Sequence, residues 1–152
     1  MAFPYKRILN PVDFEENSIR AVEVAAEFAR QNDGTLVLLY VVPTFVQPTE
    51  LPRYVPADRA DENVAREKLE QIARKYLRGV EYELVMDLGS PATAILRAAT
   101  TLSADVIVMA THGRTGFSRA YFGSIAEDVL REAPCPVLTV HGDTAKPQPS
   151  PA

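Results

Sequence analysis

Three glycines, Gly113, Gly116 and Gly123, stand between an apolar run ending at Ala110 and an amphipathic stretch that begins at Ser124. A buried strand, a glycine-rich loop and a helix start, in that order, make a site for an anion. The first backbone N–H groups of a helix have no partner inside it, and the helix dipole adds partial positive charge at the same end. Glycine removes the Cβ that would hold a ligand away from that backbone. Phosphate is the chemistry this arrangement suits, with an ordinary tight turn as the competing explanation. Ser124 and Glu127 have the spacing of a capping box. There is no Gly-x-x-x-x-Gly-Lys-Ser/Thr, and no Gly-x-Gly-x-x-Gly follows the first strand. The site is therefore neither a P-loop nor the dinucleotide fingerprint.

The elements that must position this loop follow from hydrophobic periodicity. Tyr5–Val12 reads as a strand, and Asn17 or Ser18 can cap a helix with Val22, Ala25, Ala26 and Ala29 on its apolar face. Gly34 is expected to supply the left-handed stop of that helix. Leu36–Val42 is an apolar strand, followed by prolines at 43, 48, 52 and 56 that interrupt regular structure as far as Asp58. This Pro43–Asp58 segment is expected to be a lid over the pocket, with disorder as its rival. A charged helix with Ala65, Leu69, Ile72 and Tyr76 on one stripe stops at Gly79, and Val80–Met86 reads as an edge strand because of Glu81 and Glu83. Ser90 and Pro91 start a helix carrying Ile95, Ala98, Ala99 and Leu102. Val106–Ala110, a helix through Arg131 with Ile125, Val129 and Leu130 inward, and the strand Pro136–His141 complete the alternation.

Five strands alternating with four helices predict a single-domain α/β Rossmann-like sandwich around a parallel sheet, and right-handed crossovers allow the strand order 3-2-1-4-5. In that order the first and fourth strands are neighbours whose connections leave in opposite directions, and ligands bind beyond their carboxyl ends. Pro11, Val12 and Asp13 end the first strand, so Asp13 would face the glycine loop. A carboxylate opposite a phosphate cradle suits a nucleotide, with Asp13 on ribose hydroxyls or a magnesium ion.

Bulk properties narrow the function. The 152 residues fit one domain, here 1–142, with a disordered proline-rich tail over 143–152. A net charge of −4 and a pI near 5.2 argue against a nucleic-acid partner. The longest apolar run, Leu36 to Val42, is far shorter than the roughly 20 residues of a membrane span. Cys135 is the sole cysteine and sits between two prolines, which suits a structural thiol and a reducing cytoplasm. No signal peptide is expected from Met1–Lys6.

Several of these segments, in order, resemble the universal stress protein family between Tyr5 and His141. Ile8-Leu9-Asn10-Pro11-Val12-Asp13 is similar to the family's first strand, and Gly89-Ser90-Pro91-Ala92 to its Gly-x-Pro turn. Gly113, nine residues, Gly123 and Ser124 match the second half of its nucleotide motif, while the motif's first glycine falls on Ala110. Ala-Pro-Cys-Pro-Val-Leu over residues 133–138 resembles its last turn and strand. The resemblance implies an ATP site, with Mg²⁺, in which Pro11, Val12 and Asp13 line the adenosine and Val41 meets adenine through its backbone. Gly113, Arg114, Gly123, Ser124 and Ile125 would surround the phosphates, and Ala110, Thr111 and His112 would shape that wall. Alanine at 110 costs nothing if its φ is negative, and about 1 kcal/mol or more if a positive φ is required.

The expected function is an ATP-binding stress-response protein whose nucleotide state is read by partners. Hydrolysis is expected to be slow or absent, because no nucleophile with a general base is visible and no residue is assigned a catalytic role. The alternative is a nucleotide-independent interaction module in which the dimer surface is the working part. An adenylating enzyme is a weaker third, since no Ser-Gly-Gly loop follows the first strand. A homodimer is expected through the last strand, where Val137, Leu138, Thr139 and Val140 form an apolar, β-branched edge without a lysine.

Overall fold

A computed structural model describes residues 5–43, 59–111 and 124–141. Within them lie β1 (Arg7–Val12), α1 (Glu16–Asn32), β2 (Thr35–Pro43), α2 (Arg59–Tyr76), β3 (Glu81–Gly89), α3 (Pro91–Thr101), β4 (Val106–Ala110), α4 (Ser124–Glu132) and β5 (Val137–Val140). The strands form one sheet in the order β3-β2-β1-β4-β5, with every neighbouring pair parallel. The architecture and order expected from the sequence are those observed, and β3 occupies an edge. The segment 44–58, most of the glycine loop (112–123) and residues 142–152 lie outside the described residues, and with them the expected lid and the tail.

Side-chain alternation along the strands divides the core in two. Ile8, Val12, Leu36, Leu38 and Val108 face the alanine-rich stripe of α1 (Ala21, Val22, Ala25, Ala26, Ala29) and Leu69, Ile72 and Ala73 of α2. Leu9, Val37, Leu39, Ile107 and Met109 face α3 (Ala94, Ile95, Ala98, Ala99) and α4 (Ala126, Val129). Small residues on α1 and α3 let both helices lie close to the sheet. Asp105 ties the start of β1 to the start of β4: its Oδ2 accepts the backbone N–H of Lys6 at 2.9 Å and of Arg7 at 2.8 Å.

Three local expectations are corrected. Helix α1 begins at Glu16 with Glu15 at the cap position, so neither Asn17 nor Ser18 is the cap. Ser18 lies inside the first turn, buried, and its Oγ accepts the Asp13 N–H at 3.0 Å. At the other end Asp33 takes the left-handed conformation (φ 51°, ψ 47°), a geometry that Asn and Asp tolerate better than most side chains. Gly34 is instead required by proximity: a Cβ there would stand 2.8 Å from Ile8 Cδ1 and 3.0 Å from the Tyr5 carbonyl oxygen. Gly34→Ala should therefore cost about 1–3 kcal/mol by overpacking, read as a lower urea midpoint with an unchanged m-value. The third correction is α4, whose inward residues are Ala126 and Val129, with the half-buried Ala133 packed on the same side just past its end. Ile125 and Leu130 are exposed, because the buried stripe runs i, i+3, i+7 from 126 rather than from 125.

At the β3–α3 junction Arg97 donates to Asp87 Oδ2 at 2.7 Å, and the Leu88 N–H donates to Oδ1 at 2.8 Å. The Arg97 hydrogen bond is the main cause holding the Asp87 carboxyl below its ordinary range. A carboxyl lowered in the folded state stabilises above its unfolded pKa, and the gain disappears as pH falls through the lowered folded value. Both side chains are substantially exposed, so the gain is at most about 1 kcal/mol. Arg97→Gln should be slightly less stable than wild type at pH 7, with the gap in Tm closing as the pH falls below the Asp87 range.

Candidate functional site

The two halves of the sheet separate at the carboxyl ends of β1 and β4. Strand β1 stays paired with β2 as far as Val12 and Tyr40, and β4 with β5 as far as Ala110 and Val140. Between β1 and β4 the pairing stops at Leu9 and Ile107. A cavity of about 410 Å³ opens there, within the range of roughly 300–1,000 Å³ typical of small-molecule sites.

Pro11, Val12 and, just past it, Asp13 reach the cavity from the end of β1, Val41 from β2, Ala110 and the following Thr111 from the end of β4, and Ser124 and Ile125 from the start of α4. All of these were expected from the sequence. His112, Gly113, Arg114 and Gly123, expected beside them, lie outside the described residues. Ala110 has no positive φ, so alanine stands where the motif has glycine without backbone strain.

The sequence reading missed a second set of lining residues. Leu39, Ile95 and Met109 form an apolar floor, joined by Tyr40, Pro91, Ala126 and the buried Ser18. Pro91 belongs to the Gly-Ser-Pro turn already singled out, and Ile95 lies one helical turn beyond it. Leu39 and Met109 carried no signal of their own, since strand-end core residues and pocket-floor residues have the same type.

The apolar lining suits a flat ring system, and of the polar lining residues Asp13 and Ser124 are exposed while Ser18 and Thr111 are buried. Asp13 is exposed, and its Oδ1 accepts the Glu15 N–H at 2.9 Å. That bond fixes the carboxylate at the entrance to α1 and leaves further lone pairs for a ligand. The chain turns here through Phe14 at φ 66°, a strained geometry for a bulky side chain. Packing holds it: the Phe14 ring lies 4.4 Å from that of Tyr40, with Lys68 Nζ 5.3 Å from its centroid. Opposite, Thr111 is buried and its Oγ1 lies 3.1 Å from His141 Nδ1. Helices α3 and α4 both begin at the cavity, at Pro91 and Ser124. Their unpaired N–H groups and positive dipole ends supply a field for an anion.

Other reactive groups lie elsewhere. Burial pushes the half-buried Cys135 thiol up from its ordinary value, with Asp105 adding to the effect, which is the opposite of an activated nucleophile. Among the described residues no group of three or more His, Cys, Asp or Glu could hold a metal ion. No helix among them is long and apolar enough to cross a membrane.

Residues 4–141 match the model of the universal stress protein family. A universal stress protein of Methanocaldococcus jannaschii, MJ0531, is 35% identical over 141 residues, covering 90% of this chain and 82% of that protein. Among solved structures, that of MJ0577 superposes with a TM-score of 0.74 at 25% identity, covering 93% of this chain and 99% of the other. The universal stress protein from Archaeoglobus fulgidus in complex with dAMP gives a TM-score of 0.66 at 24% identity, covering 90% and 98%.

Proposed function

The chain belongs to the universal stress protein family, and on that premise we propose that it binds an adenine nucleotide, ATP with Mg²⁺, in the crevice between β1 and β4. The observation that carries this reading is the cavity itself: an apolar floor, Asp13 on one wall and the start of α4 on the other. The floor suits adenine, Asp13 a ribose hydroxyl, and the α4 terminus phosphate. A magnesium ion would be held mainly by phosphate oxygens and water, as this ion prefers, so one nearby carboxylate is compatible with it. The solved relative with dAMP is a nucleotide complex of that protein; at its identity the likeness bears on fold, and the reading here rests on this chain's own lining.

The protein acts as a stress-response module whose nucleotide state is read by partners, in a reducing cytoplasm that suits the single free thiol. Hydrolysis is slow or absent in this reading, because Asp13 has no paired nucleophile or base among the described lining residues. Isothermal titration with Mg-ATP should show saturable binding with a Kd on the order of micromolar. Asp13→Ala should weaken it about tenfold to a hundredfold by removing a charge-assisted hydrogen bond. No heat and no thermal shift with millimolar nucleotide would reject the reading.

A second reading is favoured by a different observation: Leu138, on the edge strand β5, is large, apolar and exposed. It suits a homodimer built on β5, and that surface would be the working part of a nucleotide-independent module. Native mass spectrometry separates the two readings, since co-purified nucleotide belongs only to the first.

A further inference from the structure

Pro11 stands in β1, the central strand of the sheet, where a residue without an N–H leaves one ladder bond unmade. The Lys6 carbonyl accepts from Thr35 at the start of β2, and the Arg7 carbonyl from Asp105 just before β4. Even-numbered residues of β1 therefore turn their backbone groups to β2, and odd-numbered ones to β4. The N–H missing at Pro11 is one that would have gone to β4. On the other side, the Ile107 N–H bonds to Pro136 beside β5, so the next residue, Val108, turns its carbonyl toward β1. That carbonyl does not go unpaired. Asn10 Nδ2 donates to it at 2.8 Å.

Asn10 is fully buried on the face that carries Ile8 and Val12, among the apolar residues under α1. Its other polar atom, Oδ1, is buried without a hydrogen-bond partner. A half-satisfied amide in such a core is unfavourable and calls for an explanation. Stability alone would favour an apolar residue at 10 and an N–H at 11, which would continue the ladder between β1 and β4. Continued pairing would draw Pro11 and Val12 toward Met109 and Ala110, and all four line the cavity.

We propose that Asn10 and Pro11 form a fork that holds β1 and β4 apart and so sets the width of the nucleotide crevice. This rests on the crevice being the nucleotide site. Pro11 ends the ladder, and Asn10 satisfies the carbonyl that the ending leaves behind. Asn10 is a positioning residue: it does not line the cavity, and it acts through the strand spacing.

The test compares Asn10→Val, Pro11→Val and the double variant by calorimetry, hydrogen exchange and titration with Mg-ATP. Asn10→Val strands the Val108 carbonyl and should lower Tm by roughly 3–8 °C. Adding Pro11→Val restores a backbone donor, so the double variant should regain at least half of that loss and show a protected amide at residue 11. Its affinity for Mg-ATP should nevertheless be at least tenfold weaker than that of Asn10→Val alone. Stability and binding would then move in opposite directions, which a residue that merely supports the fold would not produce. The proposal is overturned if the second substitution recovers no Tm, if the residue 11 amide exchanges freely, or if the double variant binds as tightly as Asn10→Val. It is also overturned if Pro11→Val alone loses as much affinity as the double variant, because the pyrrolidine ring would then account for the effect. If the wild type binds no Mg-ATP, the nucleotide reading fails, while the Tm recovery and the protected amide still decide whether the fork exists.

Discussion

Ser124→Asp should weaken Mg-ATP binding by about a hundredfold while leaving the protein as stable as wild type or slightly more so. Ser124 is exposed at the first residue of α4 and lines the cavity. A carboxylate in the first turn of a helix interacts favourably with the dipole, by roughly 0.3–1 kcal/mol, so the fold gains. The same carboxylate occupies the field proposed to hold phosphate. At about 5 Å and an effective dielectric near 20, two like charges repel by roughly 3 kcal/mol, which is about two decades in Kd. The opposite signs make the experiment decisive, since lost binding could not be attributed to an unfolded domain. Titration calorimetry and a thermal melt on one preparation suffice. Undiminished affinity in a folded Ser124→Asp protein would move the phosphates away from α4.

Much of the frame that makes this prediction possible was legible in the residues. Alternation such as Ile8 against Leu9, or Leu38 against Leu39, assigns neighbours to opposite faces of a sheet covered on both sides, and both faces are buried as expected. Strand–helix alternation together with the crossover rule narrowed the strand orders to a few that include 3-2-1-4-5, the order observed, in which Asp13 and Ser124 share one crevice. The glycine expected at 110 is not needed, because that residue is the last of β4 and its φ is not positive.

What was not legible depends on contacts between distant segments. Gly34 sits beside a helix end and invites a left-handed reading, yet its constraint comes from Ile8 and Tyr5 across the strand gap. Ser18 has the right type for a cap, but the chain turns earlier, at Phe14, and the hydroxyl serves the Asp13 N–H instead. In α4 the sequence pattern permits two apolar stripes one residue apart, and packing against α3 and β4 selects Ala126 and Val129. Ile125 and Leu130 are left facing outward. Asn10 reads as an anomaly in a strand, and only the register of β1 against β4 gives its amide a purpose.

Thr139→Pro should convert a homodimer into a folded monomer at tens of micromolar. Strand β5 is an edge of the sheet, paired on one side with β4. The Pro136 carbonyl accepts from Ile107 and the Val140 carbonyl from Thr111, so even-numbered residues in β5 turn their backbone groups inward to β4. Val137 and Thr139 therefore turn theirs to the outer edge, which has no neighbouring strand among the described residues and invites a second one. A two-fold partner adding its own β5 antiparallel would satisfy those groups and cover Leu138, which is exposed in the single chain. Proline at 139 deletes an outward N–H and places a ring on that edge, while the inward ladder to β4 is untouched. The monomer should accordingly keep its helical circular dichroism and most of its Tm. Leu138→Lys attacks the same contact differently, by desolvating a charge at the interface rather than removing a donor. Sedimentation velocity on the wild type and both variants decides the matter. Dimers that survive both substitutions would place the interface away from β5, and a wild-type monomer at tens of micromolar would mean that the exposed Leu138 on β5 serves some other partner.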